Sequence, residues 1–83
     1  MTFSDALVIL KAGQKVARKG WNGKNMWLRI CRSYSDPHFK VTETPEAEGT
    51  LMDWIGMKTA TNTFVPWLAS QSDLLTDDWE IVP

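Results

Sequence analysis

The 83 residues, nine basic and ten acidic with a formal net charge of −1, make one small domain, residues 1–83, with room for one modest core. That charge balance leaves no global field for nucleic acid, the single Cys31 excludes an internal disulfide, and no apolar run approaches the length of a bilayer span. The start Met-Thr-Phe-Ser-Asp lacks the basic and long apolar regions of a signal peptide, so a soluble, cytosolic chain with no nucleic-acid or membrane partner is expected. Five Trp, three Phe and one Tyr are more aromatic surface than so short a chain readily encloses. The surplus is expected to line a pocket or a subunit interface, which makes a homo-oligomer the expected state.

Phe3, Ala6, Leu7 and Leu10 follow helical spacing, with Thr2 and Asp5 as an N-terminal cap and Gly13 where a left-handed C-terminal residue is wanted. Lys15 to Trp21 is predicted as a strand, Asn22-Gly23 as a two-residue hairpin turn, and Asn25 to Cys31 as the returning strand. In that return Met26, Leu28 and Ile30 share one face and Trp27, Arg29 and Cys31 the other, so both sides of the sheet are expected to be covered. Arg32 to Thr50 is polar, holds Pro37, Pro45 and Gly49, and has no sustained period apart from Phe39 and Val41; it is predicted as a long loop with one short strand. Leu51 to Met57 resumes as a strand, Thr59 to Asn62 turns, and Thr63 to Trp67 pairs back.

The tail from Val65 to Val82 brackets a polar turn with two tryptophans. Pro66 cannot donate to a sheet ladder, which predicts an edge strand or bulge that re-aims Trp67. Ser70 and Asp73 form a capping-box-like start for one helical turn carrying Leu74 and Leu75 inward, and Trp79-Glu80-Ile81-Val82 alternates as a last strand. Trp67 then precedes an exposed helix N-terminus, whose N–H groups attract anions, while its indole suits a flat ring. The predicted architecture is α+β: an N-terminal helix on a twisted antiparallel sheet of four to five strands, with one short helical turn before the last strand.

Two stretches point to a ligand. Arg18, Lys19 and Lys24 surround Trp21 and Asn22 between two glycines at a hairpin tip; cations there oppose phosphate, glycines admit close backbone approach, and Asn22 offers a donor and an acceptor. A solvated basic hairpin accounts for the same residues at least as well. Trp67 follows a proline and precedes small polar residues, a context that leaves one ring face unfilled, whereas Trp79, beside Ile81 on an alternating strand, is expected as a core anchor. Trp27 and Trp54 are expected in the core or an interface. Asp73 is expected to cap the turn or accept a ligand hydroxyl, with Asp77 and Asp78 exposed. Catalytic constellations are weak. His38 stands alone in the polar loop with no metal-ligand spacing around it, and Cys31, with no partnered histidine, is expected to be a half-buried core thiol. No cofactor, metal or catalytic residue is therefore expected.

The opening F-x-x-A-L-x-x-L-K-x-G, then K-V-A-R-K-G-W-N-G-K, M-K-T-A and the tail V-P-W-L-A-S-Q-S-D-L-L-T-D-D-W-E-I-V together resemble the second type of Thoeris anti-defence protein, from Phe3 to Val82 and less closely between Arg32 and Thr50. The resemblance implies a phage or prophage protein, acting in the bacterial host cytoplasm, that binds a glycocyclic ADP-ribose immune signal and holds it without cleaving it. It also implies homotetramers with pockets between subunits, and cyclic dinucleotides as ligands of some relatives. Carried onto this chain it implies Trp21, Asn22, Trp67, Ser70, Gln71 and Asp73 as site residues. Trp21 and Trp67 would wall the adenine, Arg18, Lys19 and Lys24 would face the pyrophosphate, and Asn22, Ser70, Gln71 and Asp73 would read hydroxyls and base edges. The Ala60-Thr61-Asn62-Thr63 turn departs from the aspartate and glycine of many relatives, but Asn tolerates the left-handed conformation. Against this sponge stand a small phosphodiesterase or ADP-ribosyl hydrolase, which the missing metal-ligand pattern disfavours, and a protein-docking module using exposed aromatics.

Overall fold

The computed structural model describes residues 1–21, 25–32 and 52–83. Helix α1 (Phe3–Lys11) begins where the Thr2 hydroxyl accepts the Asp5 N–H at 3.3 Å, and it ends before Gly13, whose φ of +90° closes the turn in a conformation that costs glycine nothing. Its inward stripe is the predicted one: Ala6 and Leu10 are fully buried, with Phe3 and Leu7 half-buried beside them.

Strand β1 (Lys15–Arg18) is shorter than expected, because Lys19–Trp21 tightens into a single 3-10 turn that leads the chain out of the sheet. The predicted Asn22-Gly23 turn lies outside the described residues. Strands β2 (Trp27–Cys31), β3 (Trp54–Lys58), β4 (Phe64–Pro66) and β5 (Trp79–Val82) complete an antiparallel sheet in the order β4-β3-β2-β1-β5. The fold is therefore α+β, with five strands among the described residues. The β3–β4 turn uses Asn62 at φ 64°, the left-handed position for which asparagine is suited. Pro66 sits on edge strand β4, opposite Gly56, as its missing N–H demands. The polar loop, His38 and the short strand expected around Phe39 and Val41 lie outside the described residues.

The sheet's period of two separates its faces. Val16, Leu28 and Trp79 join Ala6 and Leu10 in the buried core beneath α1, with Ile30, Ile55 and Met57 packed against it. The opposite face carries Lys15, Trp27, Arg29, Lys58 and Phe64 around an open cleft of about 790 Å³. Cys31 on this side is fully rather than half buried, because Gly56 and Phe64 close over it. A β-carbon at Gly56 would collide with the Phe64 ring and stand 2.9 Å from the Cys31 sulfur, so only glycine lets strand β3 lie flat under that ring.

Helix α2 (Gln71–Leu75) is one capped turn. The inward placement expected for Leu74 and Leu75 is overturned: they are 46% and 82% exposed, and Asp73 is the buried residue of the turn. A turn this short presents one side to the protein, and that side is taken by the Asp73 carboxylate and its partners, which leaves the leucines outside.

A candidate ligand-binding site at the tryptophan cluster

Register explains how the two suspected stretches meet. Pairing of β1 with β5 sets Arg18 opposite Trp79, so the 3-10 turn that follows Arg18 runs beside the segment that precedes Trp79. Trp67 leaves edge strand β4 with its N–H still bonded to the Ile55 carbonyl at 3.0 Å, and its ring turns toward the core. Trp79, 1% exposed, is the common floor. Trp21 stands edge-on to it at 5.5 Å between centroids, Trp67 edge-on at 5.9 Å, and Phe3 fills the remaining side at 5.4 Å from Trp79 and 5.7 Å from Trp67. Trp21 and Trp67 remain half-buried, so part of each ring faces solvent. The Met1 backbone holds the floor in place: its carbonyl accepts the Trp79 N–H at 3.1 Å and its amine donates to the Trp79 carbonyl at 2.9 Å.

Beside the rings lies an ionic network. The Arg18 guanidinium donates through Nη1 to Asp73 Oδ1 at 2.8 Å and through Nε to Asp78 Oδ1 at 2.9 Å. Asp78 therefore has a partner, contrary to its expected exposure; its carboxylate also accepts the Gly20 N–H at 3.2 Å and the Thr76 hydroxyl at 3.0 Å. Asp73 Oδ2 accepts the Ser70 N–H at 2.8 Å while Ser70 Oγ accepts the Asp73 N–H at 3.1 Å, a full capping box. The Asp73 carbonyl accepts the buried Trp79 indole N–H at 2.8 Å, which joins the network to the rings. Burial by itself would raise the Asp73 carboxyl, but the Ser70 N–H and the Arg18 guanidinium outweigh it and hold the group below its ordinary value. Asp78 is held below its ordinary value by Arg18, aided by Thr76 and Gly20, against some desolvation. Arg18 in turn is raised by Asp78 and then Asp73, and is charged at any working pH.

The predicted residues thus divide. Arg18, Trp21, Trp67, Ser70 and Asp73 come together through Trp79 and the ionic network, with Lys19 and Gln71 exposed beside them. Asn22 and Lys24 lie outside the described residues. The short α2 offers less to an anion than its sequence promised, since the Ser70 and Asp73 amides are consumed within the cap; those of Gln71 and Ser72 have no partner among the described residues. Sequence reasoning missed Phe3 and Asp78, and both were hidden by long-range register: nothing local to Asp78 marks it as the partner of a residue 60 positions away. Trp27, expected in the core or an interface, lines the open cleft. There Lys15 Nζ stands 4.8 Å over the Trp27 ring, the Arg29 guanidinium 5.8 Å over Phe64, and Lys58 lies nearby, with no acidic side chain among the described residues of the lining. The alternation Trp27, Arg29 opposite Leu28, Ile30 was the available signal. Among the described residues no group of three or more His, Cys, Asp or Glu is arranged to hold a metal ion, and no helix is long and apolar enough to cross a membrane.

A model of the Thoeris anti-defense 2-like domain matches residues 1–82. Thoeris anti-defense 2 of Bacillus phage SP01 is 44% identical over 85 residues, an alignment covering 99% of this chain and 94% of that relative.

Proposed function

This chain belongs to the Thoeris anti-defense 2-like family, of phage origin, and on that premise we propose that it sequesters a glycocyclic ADP-ribose signal in the host cytoplasm without cleaving it, so that the Thoeris effector stays inactive. The observation that carries this reading is the pair of half-exposed indoles, Trp21 and Trp67, braced edge-on against a buried Trp79 and flanked by exposed Lys19, Ser70 and Gln71. An adenine stacked on either ring gains about 1–3 kcal/mol. Lys19 supplies charge to a pyrophosphate, and Ser70 and Gln71 supply donors and acceptors for ribose hydroxyls. Retention without cleavage agrees with a site whose two buried-side carboxylates are both committed to Arg18, leaving neither placed as a general base. Isothermal titration with glycocyclic ADP-ribose tests the reading: saturable binding that weakens by about one to two decades in Trp21→Ala and in Trp67→Ala is expected, and unchanged binding in both variants contradicts it.

A second reading, sequestration of cyclic dinucleotides, is favoured by the open cleft, whose three cations and two rings fit a ligand with two phosphates and flat bases. Trp27→Ala then lowers affinity for a cyclic dinucleotide and leaves that for glycocyclic ADP-ribose intact. We further propose a homotetramer, supported by the apolar side chains that the single chain leaves in water, Leu68 at 92% and Leu75 at 82% exposed.

A further inference from the structure

The two half-exposed tryptophans sit on segments far apart in the chain, and one guanidinium ties those segments together. Asp78, bonded to Arg18, also accepts the Gly20 N–H, and its carbonyl accepts the Lys19 N–H at 3.0 Å; both donors belong to the 3-10 turn that carries Trp21. Asp73, bonded to the same Arg18, caps the turn whose N-cap, Ser70, lies three residues after Trp67, and holds the indole N–H of Trp79 through its carbonyl. We propose that Arg18 is a positioning residue: by bridging the Asp73 and Asp78 carboxylates it sets the spacing of the Trp21 and Trp67 rings, and it makes no contact with the ligand's phosphate. The proposal rests on the reading of the tryptophan cluster as the ligand site.

Charge and geometry carry it together. One guanidinium facing two carboxylates leaves a local charge of −1, so an approaching phosphate meets repulsion there rather than a free cation. The Arg18 side chain is only 18% exposed, and its Nε and Nη1 donors are both directed into the protein. Withdrawing it toward a ligand would leave Asp73 and Asp78 as uncompensated like charges. Lysine is a poor replacement, because a point charge cannot make the two directed bonds of a planar fork.

The decisive variant is Asp78→Asn, for which the two roles predict opposite signs. If Arg18 contacted phosphate, losing one carboxylate would free its guanidinium and remove a repelling charge, and a dianionic ligand would bind tighter. A positioning role predicts about tenfold weaker binding of glycocyclic ADP-ribose in Asp78→Asn and in Arg18→Lys, with the charge-conserving Arg18→Lys keeping the salt dependence of the unaltered chain; Lys19→Gln, in contrast, flattens the salt dependence. A second arm uses the free protein. Near-ultraviolet circular dichroism of the indoles should change, and amide exchange at Gly20 should quicken, in Arg18→Lys and Asp78→Asn while the far-ultraviolet spectrum stays the same. Tighter binding by Asp78→Asn, or indole spectra and Gly20 exchange unaltered in both variants, overturns the proposal. The free-protein arm needs no ligand. A chain that shows the spectral changes yet binds no glycocyclic ADP-ribose therefore refutes the ligand reading and leaves the positioning of the rings supported.

Discussion

Trp79 and the two indoles beside it differ in how much of each ring the protein needs. Trp79 touches Phe3, Trp21 and Trp67 and spends its indole N–H on the Asp73 carbonyl, so Trp79→Ala opens a cavity and orphans an acceptor. A loss of about 3–5 kcal/mol is expected, readable in urea denaturation. Trp21→Ala and Trp67→Ala remove half-buried rings and should cost less stability, while each weakens ligand capture by about one to two decades, the equivalent of about 1–3 kcal/mol of stacking. The carboxylates act at the same scale. Asp73 and Asp78 are both depressed below the ordinary value of 3.8, so each contributes stability that is fully present above that value and is lost as pH falls through the lower folded-state value. The urea midpoint should therefore hold from neutral pH to about pH 5 and fall in the acid range below it. In Asp73→Asn and Asp78→Asn that acid-side fall should be shallower; an unchanged profile in both would remove the Arg18 network from the stability account.

Elements divide by whether their signals are local. Helix α1, with Thr2 at one end and Gly13 at the other, was legible because cap, period and stop lie within one short stretch. Edge strand β4 was legible from Pro66, and the capping box of α2 from Ser70 and Asp73. The orientation of α2 was not, since a single turn has too few residues for a hydrophobic period, and the partner that pulls Asp73 inward is Arg18, on another strand. The early end of β1 at Arg18 was likewise illegible, as the Lys19 and Gly20 amides leave the sheet for Asp78. At the site, the two tryptophans were legible from their flanks, but their shared floor required the Arg18 to Trp79 register. Strand β3 supplies a further check: Gly56→Ala must displace Phe64, so it should lower the melting temperature and disturb the open cleft, which Lys15→Gln at the cleft's other side should leave folded.

For the whole molecule, a helix on one face of a five-stranded sheet leaves the other face, both sheet edges and several leucines without cover from the described residues. Light scattering at micromolar concentration should give a tetramer mass, and Leu68→Asp with Leu75→Asp should shift it downward; a monomer mass for the unaltered chain would remove the oligomer. The central claim is that the protein holds an intact signal. Incubating it with glycocyclic ADP-ribose, removing free ligand, denaturing the complex by heat and weighing the released molecule by mass spectrometry tests that claim most directly. Stoichiometric recovery of unmodified glycocyclic ADP-ribose that again activates the Thoeris effector is expected, whereas release of a hydrolysed product, or of nothing, would rule out sequestration of an intact signal.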